Sequence, residues 1–276
     1  MDGLLITILI VTGFLVYKMI SSSRKQEGYK RWKATGSGDT ANEETAGNKW
    51  KHGAWLRHAL GVTTPKARTY PVFDEEAVVW CAGLLGVEAV RLKEILQDVS
   101  SHYREFWIRK RKGGYRMISA PDKELKSIQD TIYHRILLPV NVHPVATGFR
   151  RQHSIVDNVR PHLGKRCVLK TDIHDFFLSI RSPRVKQTFE NIGYPKNISK
   201  VLGELCCRRR HLPQGASTSP ALSNIIAYEM DRKLAAMAEE FGLAYTRYAD
   251  DLTFSGDVFP KEQVLVRVKD CLLYTS

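Results

Sequence analysis

Three carboxylates carry the chemistry for which this sequence can be read. Asp172 closes an apolar stretch in KTDIHDFF, and Asp250 and Asp251 stand together in RYADDLTFS. Two adjacent aspartates at a tight hairpin put both carboxylates within reach of one cation. Without a cation, like charges at such a site raise one another's pKa. Hard oxygen ligands with room left for water suit Mg²⁺. Two such ions about 3.5–4 Å apart would stabilise the attacking and the leaving oxygen of an in-line phosphoryl displacement. Taken singly, an Asp at a strand end is ordinarily a turn cap or a surface residue, and Asp-Asp is common in plain turns. The unusual feature is the combination, with Leu212-Pro213-Gln214-Gly215 lying between the two acidic motifs. A metal site requires Asp172 to fold back beside the other two.

The elements that must do this positioning are legible in outline. Asp74 is placed to cap a helix that Gly86 stops, and Leu92, Ile95, Leu96 and Val99 mark one face of a second helix. Tyr103, Phe106 and Ile108 before Gly113-Gly114, and Tyr115, Met117 and Ile118 after it, read as a β-hairpin. Its cations Arg109, Lys110, Arg111, Lys112 and Arg116 suit either edge protection or a grip on phosphates. Leu125, Ile128, Ile132 and Ile136 predict an amphipathic helix ended by Pro139. A short helix over 155–163 has to accommodate Pro161. Residues 166–173 read as a buried strand. Ser182 is placed to cap, and Pro183 to start, a helix that stops at Gly193, and one long helix spans 220–241. A second hairpin, 244–249 and 252–255, flanks Asp250-Asp251.

The chain has 276 residues, with 42 Lys and Arg against 29 Asp and Glu, a net charge of +13. Such a surplus points to a polyanionic partner, nucleic acid or an acidic membrane surface. The five cysteines are odd in number with no CxxC pair, which disfavours both a disulfide framework and a zinc ribbon. Cys206-Cys207 with His211 lacks zinc-ligand spacing and reads as packing. Residues 4–20, LLITILIVTGFLVYKMI, are nearly all apolar, at the short edge of what spans a bilayer as a helix. Asp2 before them and the basic residues after them orient the rest of the chain to the cytosol by the positive-inside rule. A cleaved signal peptide and a buried core helix are the alternatives. Residues 23–70 read as a basic flexible linker, with ten Lys/Arg against four Asp/Glu between Arg24 and Arg68. An RNA-binding arm is the competing reading.

Residues 103–256 resemble reverse transcriptases, most closely the bacterial retron type. Tyr248-Ala249-Asp250-Asp251 matches the YxDD motif of that family, and Asp172 with Phe176-Phe177 its first palm motif. The segment Leu212-Pro213-Gln214-Gly215, with Ser217, Ser219-Pro220 and Asn224, matches the motif between them. Arg116-Met117-Ile118, Ala120-Pro121, Leu125 and Ile128-Gln129 match a fingers motif. The run ATGFRRQHSIVDNVRPH matches the next one, and Asn158 to His162 resembles the retron NAxxH element with Val159 in place of Ala.

The resemblance implies an α+β right-hand polymerase. Residues 1–22 would be a transmembrane helix, 23–70 a linker, 71–102 N-terminal helices and 103–276 fingers and an antiparallel palm without the thumb. It implies two Mg²⁺ held by Asp172, Asp250, Asp251 and the Ile173 carbonyl. Lys110, Lys112 and Arg116 would clamp a triphosphate. Phe177 would be the steric gate against ribose, with the packing of Phe176 and Phe177 in the palm core as the alternative. Gln214 and Gly215 would line the nucleotide pocket, and Asn158 and His162 would contact RNA. The implied reaction is DNA synthesis from dNTPs on a structured noncoding RNA, which acts as template and primer and ends joined to the DNA product. The setting would be phage defence at the inner membrane, with the catalytic part cytoplasmic and an effector protein as a possible partner. The chain ends 25 residues after Asp251, so an incomplete gene with weak duplex grip and distributive extension is expected. The rival readings are another bacterial reverse transcriptase, group II intron-like or a defence polymerase, and a membrane-anchored RNA-binding module without catalysis.

Overall fold

The computed structural model describes residues 5–11, 14–20, 72–110 and 113–275. The linker expected over 23–70, together with Arg111 and Lys112, lies outside the described residues. The chain begins with two strands, β1 (Leu5–Val11) and β2 (Phe14–Ile20), followed by helices α1 (Glu75–Leu85) and α2 (Ala89–Gln97) and a tight turn at Val99–His102. A hairpin, β3 (Tyr103–Arg109) and β4 (Tyr115–Pro121), leads into α3 (Lys123–Ile132). Then come α4 (Ile155–Val159), β5 (Cys167–Asp172), α5 (Phe176–Ser179), α6 (Ser182–Ile192), α7 (Lys196–Leu205), α8 (Ser219–Ile226) and α9 (Tyr228–Glu240). The strands β6 (Ala244–Tyr248) and β7 (Asp251–Gly256) and helix α10 (Lys261–Thr275) complete it.

The mixed helix-and-sheet architecture with antiparallel pairing is as expected, but the transmembrane helix is not there. The strand order in the larger sheet is β1-β2-β5-β7-β6. Residues 5–20 supply β1 and β2, paired antiparallel from Leu5↔Ile20 to Val11↔Phe14, and β2 runs parallel to β5. Among the described residues no helix is long and apolar enough to cross a membrane. This removes the anchor over 1–22, the membrane as a partner through residues 4–20, and the inner-membrane placement. The physical reason lies in the residue types. Ile6, Thr7, Ile8, Ile10, Val11 and Val16 are β-branched and lose rotamer freedom in a helix. An apolar run of this length has no period that separates strand from helix.

Local sequence signals account for most of the rest. Asp74 accepts a hydrogen bond from the Ala77 amide at 3.0 Å, and Gly86 ends α1 at φ 72°. Leu92, Ile95, Leu96 and Val99 are all buried, as are Leu125, Ile128, Ile132 and Ile136. Pro161 divides the expected 155–163 helix into α4 and a single tight turn over Arg160–His162. The long helix expected over 220–241 is two, α8 and α9, parted at Ala227. Helix α7, against which α1 and α6 pack, was not expected. Arg181 rather than Ser182 is the N-cap of α6.

A buried amide helps fasten the smaller sheet, β3–β4, to this helical layer. Gln129 is fully buried, and its Nε2 donates to the Tyr103 hydroxyl at 2.7 Å and to the Leu205 carbonyl at 2.8 Å. It therefore joins β3, α3 and α7. Replacing it with an isosteric apolar residue leaves two buried acceptors without a donor, each at a cost of about 1–3 kcal/mol. Gln129→Leu is expected to lower unfolding free energy by about 1–3 kcal/mol, read from urea denaturation, since the loss of two donated bonds is partly offset by removing the unpaired buried Gln129 Oε1.

Candidate active site

Strand β5 pairs with β7, and β7 pairs with β6, so the two acidic motifs meet at one end of the sheet. Asp172 lies directly opposite Asp251. In the next register pair, the Ile173 amide donates to the Asp250 carbonyl at 2.8 Å. Hydrogen-bonded and non-hydrogen-bonded pairs alternate along an antiparallel ladder, so Asp172–Asp251 occupies the closer kind, with Cα atoms about 4.5 Å apart. Facing aspartates repel one another. A cation already answers that repulsion: the Lys170 ammonium sits 2.8 Å from Asp251 Oδ2. Lys170 faces Thr253 across the ladder, so Lys170, Asp172, Thr253 and Asp251 share one face of the sheet.

Hard carboxylate oxygens on one face fit a hard divalent cation in donor chemistry and in backbone placement. The side chains do not converge as far as the backbone does. Among the described residues no three His, Cys, Asp or Glu side chains form a group able to hold a metal. The Asp251 carboxylate is engaged by Lys170.

The turn that carries Asp250 is strained and held from below. Ala249 adopts φ 58° at the first position of the two-residue loop between Tyr248 and Asp251, where glycine is the favoured residue. Arg247 Nη1 donates to the Ala249 carbonyl at 3.0 Å and to Asn224 Oδ1 at 3.0 Å. The rest of the Arg247 guanidinium forks onto Asp231, with Nε–Oδ1 at 2.8 Å and Nη2–Oδ2 at 2.7 Å. Both side chains have 0% exposure. The Tyr245 hydroxyl donates to Asp231 Oδ1 at 3.0 Å, and burial pushes its pKa well up. From the other side, Asn224 Nδ2 donates to the Gly148 carbonyl at 2.9 Å. A Cβ on Gly148 would lie 2.7 Å from the Ala249 nitrogen, so only glycine lets this loop pass the turn. The loop itself is tied to β6 by Thr147 N–H to the Arg247 carbonyl and Arg247 N–H to the Val145 carbonyl, both 2.8 Å.

Sequence reading singled out neither Arg247 nor Asp231. The signal was present. Tyr245 and Arg247 share the core-facing register of β6, and a cation there demands a buried carboxylate. Asp231 follows Met230 on a helix whose Met230 and Leu234 point inward.

The other expected site residues fall in several places. Phe176 is buried beneath Arg247, 5.7 Å from its guanidinium carbon, while Phe177 is half-buried against Phe149 with ring centroids 6.0 Å apart. The two Phe rings stay in contact, 5.6 Å between centroids, and Phe177 also packs against the core, both issuing from a helical turn rather than a strand. Arg116 is exposed on β4, on the same face as Ile118. Lys110 lies at the end of the hairpin, its amide donating to the Gly114 carbonyl at 3.0 Å. Gly215, at φ 134°, passes β4 so closely that a Cβ would lie 2.8 Å from the Ser119 carbonyl oxygen. The Gln214 carbonyl accepts from the Ser119 amide at 2.9 Å. Gly215 therefore serves the approach of backbone to backbone at this point.

Asn158 and His162 do not bond to each other. Asn158 is buried, its Oδ1 accepting from Thr147 Oγ1 at 3.0 Å. His162 bridges two hydroxyls of the larger sheet, Nδ1 to Ser255 Oγ at 2.6 Å and Nε2 to Thr246 Oγ1 at 2.7 Å. Both residues brace the α4 segment against the sheet. Cys206 and Cys207 are buried with thiol pKa values pushed up by burial, which is packing and not ligation.

Residues 108–272 match the reverse transcriptase (RNA-dependent DNA polymerase) family. The chain belongs to that family. It is 37% identical over 190 residues to the retron Ec86 reverse transcriptase of Escherichia coli, covering 68% of this chain and 58% of that protein. It is 39% identical over 174 residues to the retron Mx65 reverse transcriptase of Myxococcus xanthus, covering 56% and 41%. The retron Mx162 reverse transcriptase of the same organism is 32% identical over 255 residues, 84% of this chain and 52% of that one. The chain thus spans about half the length of these relatives, and its similarity within the family is to the retron type.

Two measurements probe the braces. Removing one member of a buried ion pair strands the other, at about 3–5 kcal/mol. Arg247→Met and Asp231→Leu are each expected to cost that much in denaturant unfolding, and the double variant less than the sum of the two. Burial lowers the pKa of His162 from the ordinary value of 6.5. The unfolded chain then binds the proton more readily, so this contribution to stability is full above about pH 6.5 and is lost as pH falls. The melting temperature of the wild type is expected to fall more steeply below pH 6.5 than that of His162→Gln.

Proposed function

We propose that this chain is the fingers and palm portion of a retron-type RNA-directed DNA polymerase. The observation that carries the reading is the pairing of Asp172 with Asp251 beside the Ile173–Asp250 backbone bond. It joins acidic residues far apart in sequence at the end of one sheet, in a chain of the reverse transcriptase family.

In this reading Asp172, Asp250 and Asp251, with the Ile173 carbonyl, would hold two Mg²⁺, whose charge would favour attack of a primer hydroxyl on the α-phosphate of a dNTP, with the α–β phosphoanhydride breaking and pyrophosphate leaving. Arg116 and Lys110, with Lys112 beside them in sequence, would hold the triphosphate through charge-assisted hydrogen bonds. The Phe177 ring would lie under the sugar and exclude a 2′-hydroxyl by clash. Gln214 and Gly215, fixed against β4, would form the floor of the nucleotide pocket. Lys170 would leave Asp251 when metal binds, and in the free protein it neutralises the like-charge pair. The template would be a structured noncoding RNA that also primes, and the product DNA joined to it. Phage defence and an effector partner rest on family likeness alone.

Primer extension with Mg²⁺ on an RNA template tests the reading. Asp250→Ala and Asp251→Ala are each expected to lower the rate at least 10²–10³-fold, the scale set by loss of one electrostatic group at a reacting centre. Equal rates in the wild type and both variants would eliminate it.

A further inference from the structure

Between α7 and α8 the chain makes a second tight turn, Arg208-Arg209-Arg210-His211. Arg208 and His211 exchange both backbone hydrogen bonds, at 2.9 and 3.0 Å, and leave a two-residue loop. Arg209 has φ 47° and Arg210 φ 68°. A loop with two consecutive left-handed residues is the turn for which Asn-Gly is preferred, because any larger Cβ crowds the following carbonyl. Here both positions are arginine. Strain of this kind persists where the side chains serve something else.

Little inside the protein explains those side chains. Arg208 is anchored: it pairs with Glu105, reaches Ser119 Oγ at 3.4 Å and lies over the Tyr103 ring. Arg209 makes only a long approach to the same Glu105, 3.7 Å, with its side chain 68% exposed. Arg210 is exposed and makes no ion pair with a described carboxylate. Arg181 lies alongside, bridged to His211 through the backbone, and is also exposed. The tip is not a loose arm. His211 Nδ1–H donates to the Leu178 carbonyl at 2.6 Å, the Ser182 amide to the Arg210 carbonyl at 2.8 Å, and the Leu212 amide to the Ile180 carbonyl at 3.0 Å.

We infer that Arg209 and Arg210, flanked by Arg181, form a phosphate-binding tip that grips the backbone of the RNA partner. The inference rests on the reading of this chain as an RNA-templated polymerase. The guanidinium fork matches a phosphate bidentately, and a rigid turn presents it at little ordering cost. The net charge of +13 supplies the long-range attraction. Phosphate grips of this kind position an RNA without reading its sequence.

The strain and the charge predict opposite effects of one substitution, which makes the test sharp. In the full chain, Arg209→Asn with Arg210→Gly is expected to raise the melting temperature by about 2–4 °C, the shift that a small stability gain gives at this size. The same variant is expected to bind a labelled RNA hairpin about ten-fold more weakly in a filter assay. The slope of log affinity against log salt should become shallower by about 0.7–0.9 for each phosphate that the variant no longer neutralises. Arg181→Gln, which leaves the turn untouched, should weaken binding in the same direction and serves if the double variant does not fold. Unchanged hairpin affinity and salt slope in the folded variants would overturn the assignment, whatever happens to the melting temperature. The readout is affinity and not synthesis. A protein that fails to extend a primer, yet loses hairpin affinity on these substitutions, overturns the catalytic reading and leaves the tip standing.

Discussion

The Arg247 guanidinium and the Asp231 carboxylate face each other with no solvent on either side chain, 2.7 Å apart. Taking two charges out of water costs several kcal/mol per ion, and their attraction offsets this only when every donor and lone pair is used. Here they are used. The Arg247 guanidinium reaches Asp231, Asn224 and the Ala249 carbonyl, and Asp231 also accepts from Tyr245. The pair therefore ties the end of β6 to α8 and α9, and fixes the carbonyl of the residue just before Asp250. A hydrophobic pair of equal volume could fill the space. It could not hold that carbonyl, and the left-handed Ala249 would have one fewer reason to stay strained.

The sheet divides its labour by side-chain parity. One face of the β5–β7–β6 ladder carries Leu169, Phe254 and Tyr245, with the Tyr245 and Phe254 rings stacked 4.6 Å apart over the α9 layer. The other face carries Lys170, Asp172, Asp251 and Thr253 at one end, and Thr246 and Ser255, capped by His162, toward the other. A shift of register by one residue would put the carboxylates in the core and the aromatic pair in water, so packing on the far face fixes where the acidic residues meet.

How much of this could be read from the sequence follows from the range of the forces involved. Asp74, Gly86 and the Leu92–Val99 stripe act over one or two turns, and they were legible. So were both hairpins, since turn residues and alternation are local. The juxtaposition of Asp172 with Asp250 and Asp251 was available only by likeness to a family, because nothing near Asp172 in sequence says which strand will lie beside it. Residues 5–20 were misread because apolar length was weighed above β-branched content. The signal for α7 was present, with Ile198, Val201, Leu202 and Leu205 at helical spacing and all buried. The break at Ala227 had no such signal, since no glycine or proline marks it. Gly215 and Gln214 were assigned to the pocket, while their backbone approach to Ser119 depends on how β4 docks, a tertiary fact.

Ala249 and the Arg209–Arg210 turn are two of the places among the described residues where non-glycine residues hold left-handed backbone, and the comparison between them is instructive. At Ala249 the strain is answered from within: a guanidinium holds the carbonyl, and Gly148 leaves room beside the nitrogen. At Arg209 and Arg210 the backbone is pinned, yet the side chains that cause the strain project from the surface with one distant carboxylate to share. Both backbones are held by internal bonds, so the difference lies in the side chains: a methyl at Ala249 has nothing to bind, while two exposed guanidinium groups at Arg209 and Arg210 point to a partner outside the chain. On that distinction the first turn belongs to the carboxylate site and the second to whatever anion the protein meets in solution.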